Sequence, residues 1–184
     1  NQVTRTGGTS LVTFGDTNSA TTLVLQSTTS GLPVSFDASM VLNKDVQFKS
    51  VGTGSITVGT TSGTNTTIKS GVSGSYNLLI QATGGALINL NSDIGGTSAE
   101  DLASVTVATV SASGGKTNIA SRTIKTGGVT GQSFTGNVDY ANALLLSSGS
   151  GPITFNSQLD STNAANLTLT SNGVLSFQAI GSSN

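Results

Sequence analysis

The chain has no cysteine, no histidine and no tryptophan. Without Cys there is neither a disulfide framework nor a thiolate metal site, and without His there is no imidazole ligand and no usual base for a serine or cysteine nucleophile. Charge is scarce too: seven basic against eight acidic side chains in 184 residues leave a net charge of −1. That gives no basic field for nucleic acid or an anionic membrane. No apolar run approaches the ~18 residues that span a bilayer as a helix. Aromatic residues make up 4% of the chain and all hydrophobic residues 35%, which is thin for a compact globule of this length.

Ser, Thr, Gly and Asn supply about half of the residues, and Val, Ile, Leu and Ala dominate the apolar remainder. Thr, Val and Ile suit a pleated, half-buried surface because branching at Cβ restricts χ1, while Gly, Asn and Ser suit tight corners. Disorder usually combines low hydrophobicity with high net charge; here the charge is near zero and β-formers recur throughout, which favours a folded chain. The start at Asn1, without Met or a signal-like segment, reads as a processed chain or an excised piece.

Internal similarity carries most of the information. Leu11-Val12-Thr13-Phe14 is followed by Leu23-Val24-Leu25, Gly31 and Val34-Ser35-Phe36; Pro152-Ile153-Thr154-Phe155 is followed by Leu167-Thr168-Leu169, Gly173 and Leu175-Ser176-Phe177. A weaker copy runs from Ile56-Thr57-Val58 through Leu78-Leu79-Ile80 and Gly85 to Leu87-Ile88-Asn89-Leu90. A second alignment sets Val41 to Phe48 and Gly54 to Val58 against Val138 to Leu145 and Gly151 to Phe155, an offset of 97 residues. A unit that long exceeds one coil of a solenoid, so residues 1–184 read as a single repeat domain of two imperfect super-repeats with a boundary near 101.

Most segments alternate apolar and hydroxylated residues, as in Ile153-Thr154-Phe155, Leu167-Thr168-Leu169 and Val105-Thr106-Val107. Glycine corners separate them, and no segment shows a sustained helical period with caps, although Ser98 to Ala103 allows one helical turn. The fold class is therefore all-β: a parallel β-solenoid, with an antiparallel β-sandwich as the alternative. Repetition and the scarcity of aromatics favour the solenoid. At about 20 residues per coil and ~4.8 Å between coils, nine or so coils would form a rod on the order of 40 Å long.

Gly151-Pro152-Ile153-Thr154-Phe155-Asn156-Ser157-Gln158-Leu159-Asp160 with Asn166-Leu167-Thr168-Leu169, Ala86 to Leu90 through Ile94-Gly95-Gly96 to Val107, and Gln132 to Val138 resemble the β-strand repeats of very large secreted bacterial surface proteins. That group includes the filamentous-haemagglutinin-like adhesins. The resemblance covers about two thirds of the chain and implies a right-handed parallel β-helix, export to the cell surface, and a role in adhesion or in an extracellular fibre. Asn1 to Gly8 and the insertion Gly59 to Gly74 depart from the pattern.

β-Helices host polysaccharide lyases and hydrolases, so each charged residue is a test. Glu100-Asp101 are adjacent acids in one loop, whereas a catalytic pair must oppose one another across a sugar; they read as a solvated corner or a cap. Arg122 and Lys125 lie close enough in sequence to bind a sugar carboxylate, set against the commoner solubilising role of basic residues on strands, which also covers Lys44-Asp45 and Lys49. Asp93, Asp139 and Asp160 form neither an EF-hand loop nor a calcium-binding nonapeptide. The glycines contain no phosphate-cradling run, and the sequons at Asn65 and Asn166 are chance matches in a chain so rich in Asn and Thr. Phe14, Phe36, Phe48, Phe134, Phe155 and Phe177 recur at matching positions and read as core ladder or cap residues.

The sequence thus predicts a non-enzymatic structural repeat module outside the cell or on its surface, without catalytic, cofactor or metal residues. It is either an adhesin shaft or a self-stacking filament subunit, with a carbohydrate-binding or carbohydrate-active β-helix as the alternative. Expected partners are further copies joined head to tail, flanking repeats of the same protein, or a host or matrix glycan or protein. Neither terminus carries a charged cap, and Gly181 to Asn184 align with Gly95 to Ser98, where the first copy continues into another strand.

Overall fold

A computed structural model describes residues 11–15, 21–60, 66–110 and 113–181 of the chain. The described residues form seven coils. Coil 1 holds β1 (Leu11–Phe14), β2 (Leu23–Gln26) and β3 (Val34–Phe36); coil 2 holds β4 (Ser39–Leu42), β5 (Val46–Ser50) and β6 (Ile56–Val58). Coil 3 holds β7 (Thr67–Ser70), β8 (Asn77–Ala82) and β9 (Ile88–Leu90), and coil 4 holds β10 (Asp93–Ile94), β11 (Leu102–Ala108) and β12 (Lys116–Ile119). In coil 5, β13 (Thr123–Thr135) rounds a corner without interruption before β14 (Asn137–Tyr140). Coil 6 holds β15 (Leu144–Ser148) and a bent β16 (Ile153–Ser161), and coil 7 holds β17 (Leu167–Ser171) and β18 (Leu175–Ile180).

Each strand pairs in parallel with its counterparts in the coils above and below, which makes three faces. All strand pairings among the described residues are parallel, so the antiparallel sandwich is excluded and the fold is a right-handed parallel β-helix. Parallel neighbours in one sheet need a crossover, and the right-handed one follows from strand twist.

Alternation along each strand decides which side chains enter the core. On the first face Val12, Met40, Ile68, Ile94, Ile124, Leu146 and Leu169 stand in one register through all seven coils. On the second face the sequence of stacked residues is Leu25, Phe48, Ile80, Val107, Phe134, Phe155 and Phe177. The third face stacks Val34, Ile56, Ile88, Thr117, Val138, Leu159 and Ile180. Because each layer is filled by medium-sized aliphatics, a narrow core closes with few aromatics.

The phenylalanines lie in the core or pack against it, as the sequence predicts, and gather toward its two ends. Phe14, Phe36 and Phe48, one from each face, meet with ring centroids 5.3–6.4 Å apart. At the other end Phe134, Phe155 and Phe177 stack in line, with centroids 4.7 and 5.5 Å apart and planes within 11° of parallel.

Two expectations change. The described residues form seven coils rather than nine, because the middle coils are longer: Val34 pairs with Ile56, 22 residues on, and Val138 with Leu159, 21 residues on, whereas Ile56 pairs with Ile88, 32 residues on. The rod is therefore on the order of 30 Å long at ~4.8 Å per coil. The interval Gly59 to Gly74 is also more than an insertion, since it contains β7, whose Ile68 is fully buried. The segment Ser98 to Ala103 forms a single turn, closed by the Glu100 amide donating to the Thr97 carbonyl at 2.8 Å, and then enters β11.

The 97-residue similarity has a particular structural meaning. Its first copy places β4, β5 and β6 on the first, second and third faces; its second places β14, β15 and the start of β16 on the third, first and second. The two copies are one face out of phase, because a strand–corner–strand unit fits any face of the coil. Residue 101 lies in the corner between β10 and β11.

Candidate functional site

Chemistry-bearing side chains lie on the outside of the coils and at the corners. Glu100 and Asp101 sit at the corner between the first and second faces of coil 4. Glu100 accepts a hydrogen bond from the Lys69 ammonium at 2.8 Å, and its other oxygen faces the Thr97 amide at 3.3 Å. The Lys69 hydrogen bond, then the Thr97 amide, hold its carboxyl below the ordinary value of 4.5. Asp101 accepts from the Gly96 amide at 3.3 Å. The two acids share one corner and accept hydrogen bonds from its backbone.

Asp45 and Asp139 tie coils together. Asp45 accepts from the Asn77 amide at 2.9 Å and from the Asn77 side chain at 3.1 Å through both oxygens, and Ser104 donates to Asn77 at 2.6 Å. This bridges coils 2, 3 and 4 at the entrance to the second face. Asp139 pairs with the Lys116 ammonium of the preceding coil. Asp160, in register with Asp139, accepts from the Ser161 amide at 2.8 Å. Lys44 lays its aliphatic stem over Gly15, and Lys49 stands outward on the second face in register with Gln26 and Gln81. Among the described residues no three His, Cys, Asp or Glu side chains come together.

Asn side chains seal the corner between the third and first faces: Asn142 donates to the Ala120 carbonyl at 2.7 Å and Asn163 to the Ala141 carbonyl at 3.1 Å, each one coil back. Nothing in the sequence beyond high Asn content signals this ladder.

Arg122 is held through its backbone. Asp93 of the preceding coil accepts from the Arg122 and Thr123 amides at 2.8 and 3.0 Å, which fixes the backbone at the start of β13. The exposed guanidinium itself makes no hydrogen bond or ion pair among the described residues. Lys125, on the same face, donates its ammonium to the Gly96 carbonyl at 3.0 Å, so the structure places the two basic residues on one face but leaves only Arg122 unengaged. A groove of about 330 Å³ opens beside Arg122, lined also by Ala143, Leu144, Leu145, Asn166 and Thr168. Asn166 is the one sequon asparagine among the described residues, and it is exposed; Asn65 lies outside them.

No family model matches the sequence, and no curated protein and no solved structure matches it either.

Proposed function

We propose that this chain is a structural repeat module of a secreted bacterial surface protein, a stiff shaft segment that holds other parts of the molecule away from the cell. The observation that supports this reading is the unbroken register of seven coils on three faces. Each coil contacts only its neighbours, so length grows by adding coils while cross-section stays constant. The surface is rich in Thr, Ser and Asn and nearly neutral, which suits a spacer. The resemblance to filamentous-haemagglutinin-like repeats supports the same role and an extracellular location.

A self-stacking filament subunit is the second reading, favoured by coil 7. There Val174, Leu175 and Ile180 are 69%, 43% and 66% exposed, and among the described residues β17 and β18 pair on one side alone. Such an edge accepts another coil, whether from the same protein or from a second copy.

Negative-stain electron microscopy of the purified chain across a concentration series separates the two. Isolated short rods at every concentration support the shaft; unbranched fibres that lengthen with concentration support the filament subunit. Compact globules would refute both.

A further inference from the structure

The groove beside Arg122 has a composition that a bare spacer does not need. Three successive coils build it, and hydrogen bonds fix their order: the Leu145 amide donates to the Arg122 carbonyl at 2.8 Å, and the Leu144 amide donates to the Asn166 carbonyl at 2.9 Å. Thr123, Leu145 and Thr168 are in register, so the groove runs along the rod axis with one coil every ~4.8 Å. At one end stands the unengaged guanidinium. In the middle, Ala143 and Leu145 form an apolar floor, and beyond it the exposed Asn166 and Thr168 side chains make no hydrogen bond within the described residues. Asp93 of the preceding coil accepts from the Arg122 and Thr123 backbone amides and makes no bond to the guanidinium.

We propose that this groove binds a uronic-acid residue of an acidic polysaccharide whose chain lies along the rod. A guanidinium presents a planar fork that takes a carboxylate through two parallel N–H···O bonds, which a neutral sugar cannot exploit. The apolar floor receives the C–H face of a pyranose ring, and the Asn166 amide and Thr168 hydroxyl meet ring hydroxyls of the next unit. The inference is independent of whether the rod is a shaft or a filament subunit, since it rests on coils 5 to 7 alone.

The test is an NMR titration of the full 184-residue chain with trigalacturonate, with neutral galactotriose and citrate run in parallel. Trigalacturonate should shift the Arg122, Leu145 and Thr168 amides; galactotriose should bind far more weakly, and citrate should leave Leu145 and Thr168 unmoved. R122Q should weaken trigalacturonate binding about tenfold or more, in line with the loss of a charge-assisted pair. R122K should retain part of it. Should R122Q fail to fold, Thr168→Val reads the same groove from its other end and should weaken binding severalfold. No shifts at millimolar trigalacturonate, shifts that ignore R122Q, or citrate binding equal to trigalacturonate would each overturn the assignment.

Discussion

Replacing Phe155 by Ala removes the middle ring of a three-ring stack. Phe155 is 1% exposed, with Phe134 on one side at 4.7 Å and Phe177 on the other at 5.5 Å. Truncating a buried phenylalanine costs about 3–5 kcal/mol, and two parallel ring contacts place this site toward the upper part of that range. The cavity lies in coil 6, between neighbours that are joined only through it. In a nearest-neighbour array the damage should spread toward the nearer end, uncoupling coil 7 while coils 2 and 3 keep their own interfaces. Hydrogen exchange of the F155A chain should therefore show lost protection in β16, β17 and β18, with β5 and β8 nearly unchanged. Phe177→Ala is the control, because its ring is only half-buried and has one aromatic neighbour; it should cost about 1–2 kcal/mol in urea titration. If F155A costs less than about 1 kcal/mol, or no more than F177A, the ring stack does not hold this end of the coil together.

Other substitutions probe different terms. Gly131 has φ +71°, and a Cβ there would lie 2.0 Å from the Pro152 carbonyl oxygen; Gly131→Ala should cost about 2 kcal/mol or more, measurable by urea denaturation. Gly114→Ala, at φ +81° but facing open space, should cost only about 1 kcal/mol. Thr117 is fully buried in the column between Ile88 and Val138, and its hydroxyl has no hydrogen-bond partner among the described residues; Thr117→Val should raise stability by about 1 kcal/mol, visible as a higher Tm. Glu100 has a folded-state pKa below 4.5, so its contribution is present above the ordinary carboxylate range and is lost as pH falls through the lowered value. The Tm difference between the parent chain and Glu100→Gln should accordingly be small at pH 7 and vanish in acid; a difference that grows on acidification would refute the Lys69–Glu100 reading.

The sequence by itself determined the class of fold. Short alternating segments such as Ile153-Thr154-Phe155 name their own buried face, because period-two alternation maps directly onto a strand with one side inward. The scarcity of aromatics matched a core built mainly from stacked aliphatic columns, and the six phenylalanines were legible as core residues from their repeated positions. Lack of His and Cys, and the poverty of charge, bound the side-chain chemistry from the sequence alone.

Tertiary structure alone decided which strand lies over which. A strand–corner–strand unit looks alike on every face, so the 97-residue similarity carried no information about phase, and the copies fell one face apart. β7 was hidden because Thr-Ile-Lys-Ser has a single apolar residue, and its inward direction is fixed by pairing with β4 and β10 rather than by its own pattern. The groove is likewise non-local: Arg122, Leu145 and Thr168 are distant in sequence and adjacent only because successive coils stack in parallel register. Register between coils is set by the lengths of the corners that separate the strands, and those lengths become readable only when the hydrogen bonds between coils are known.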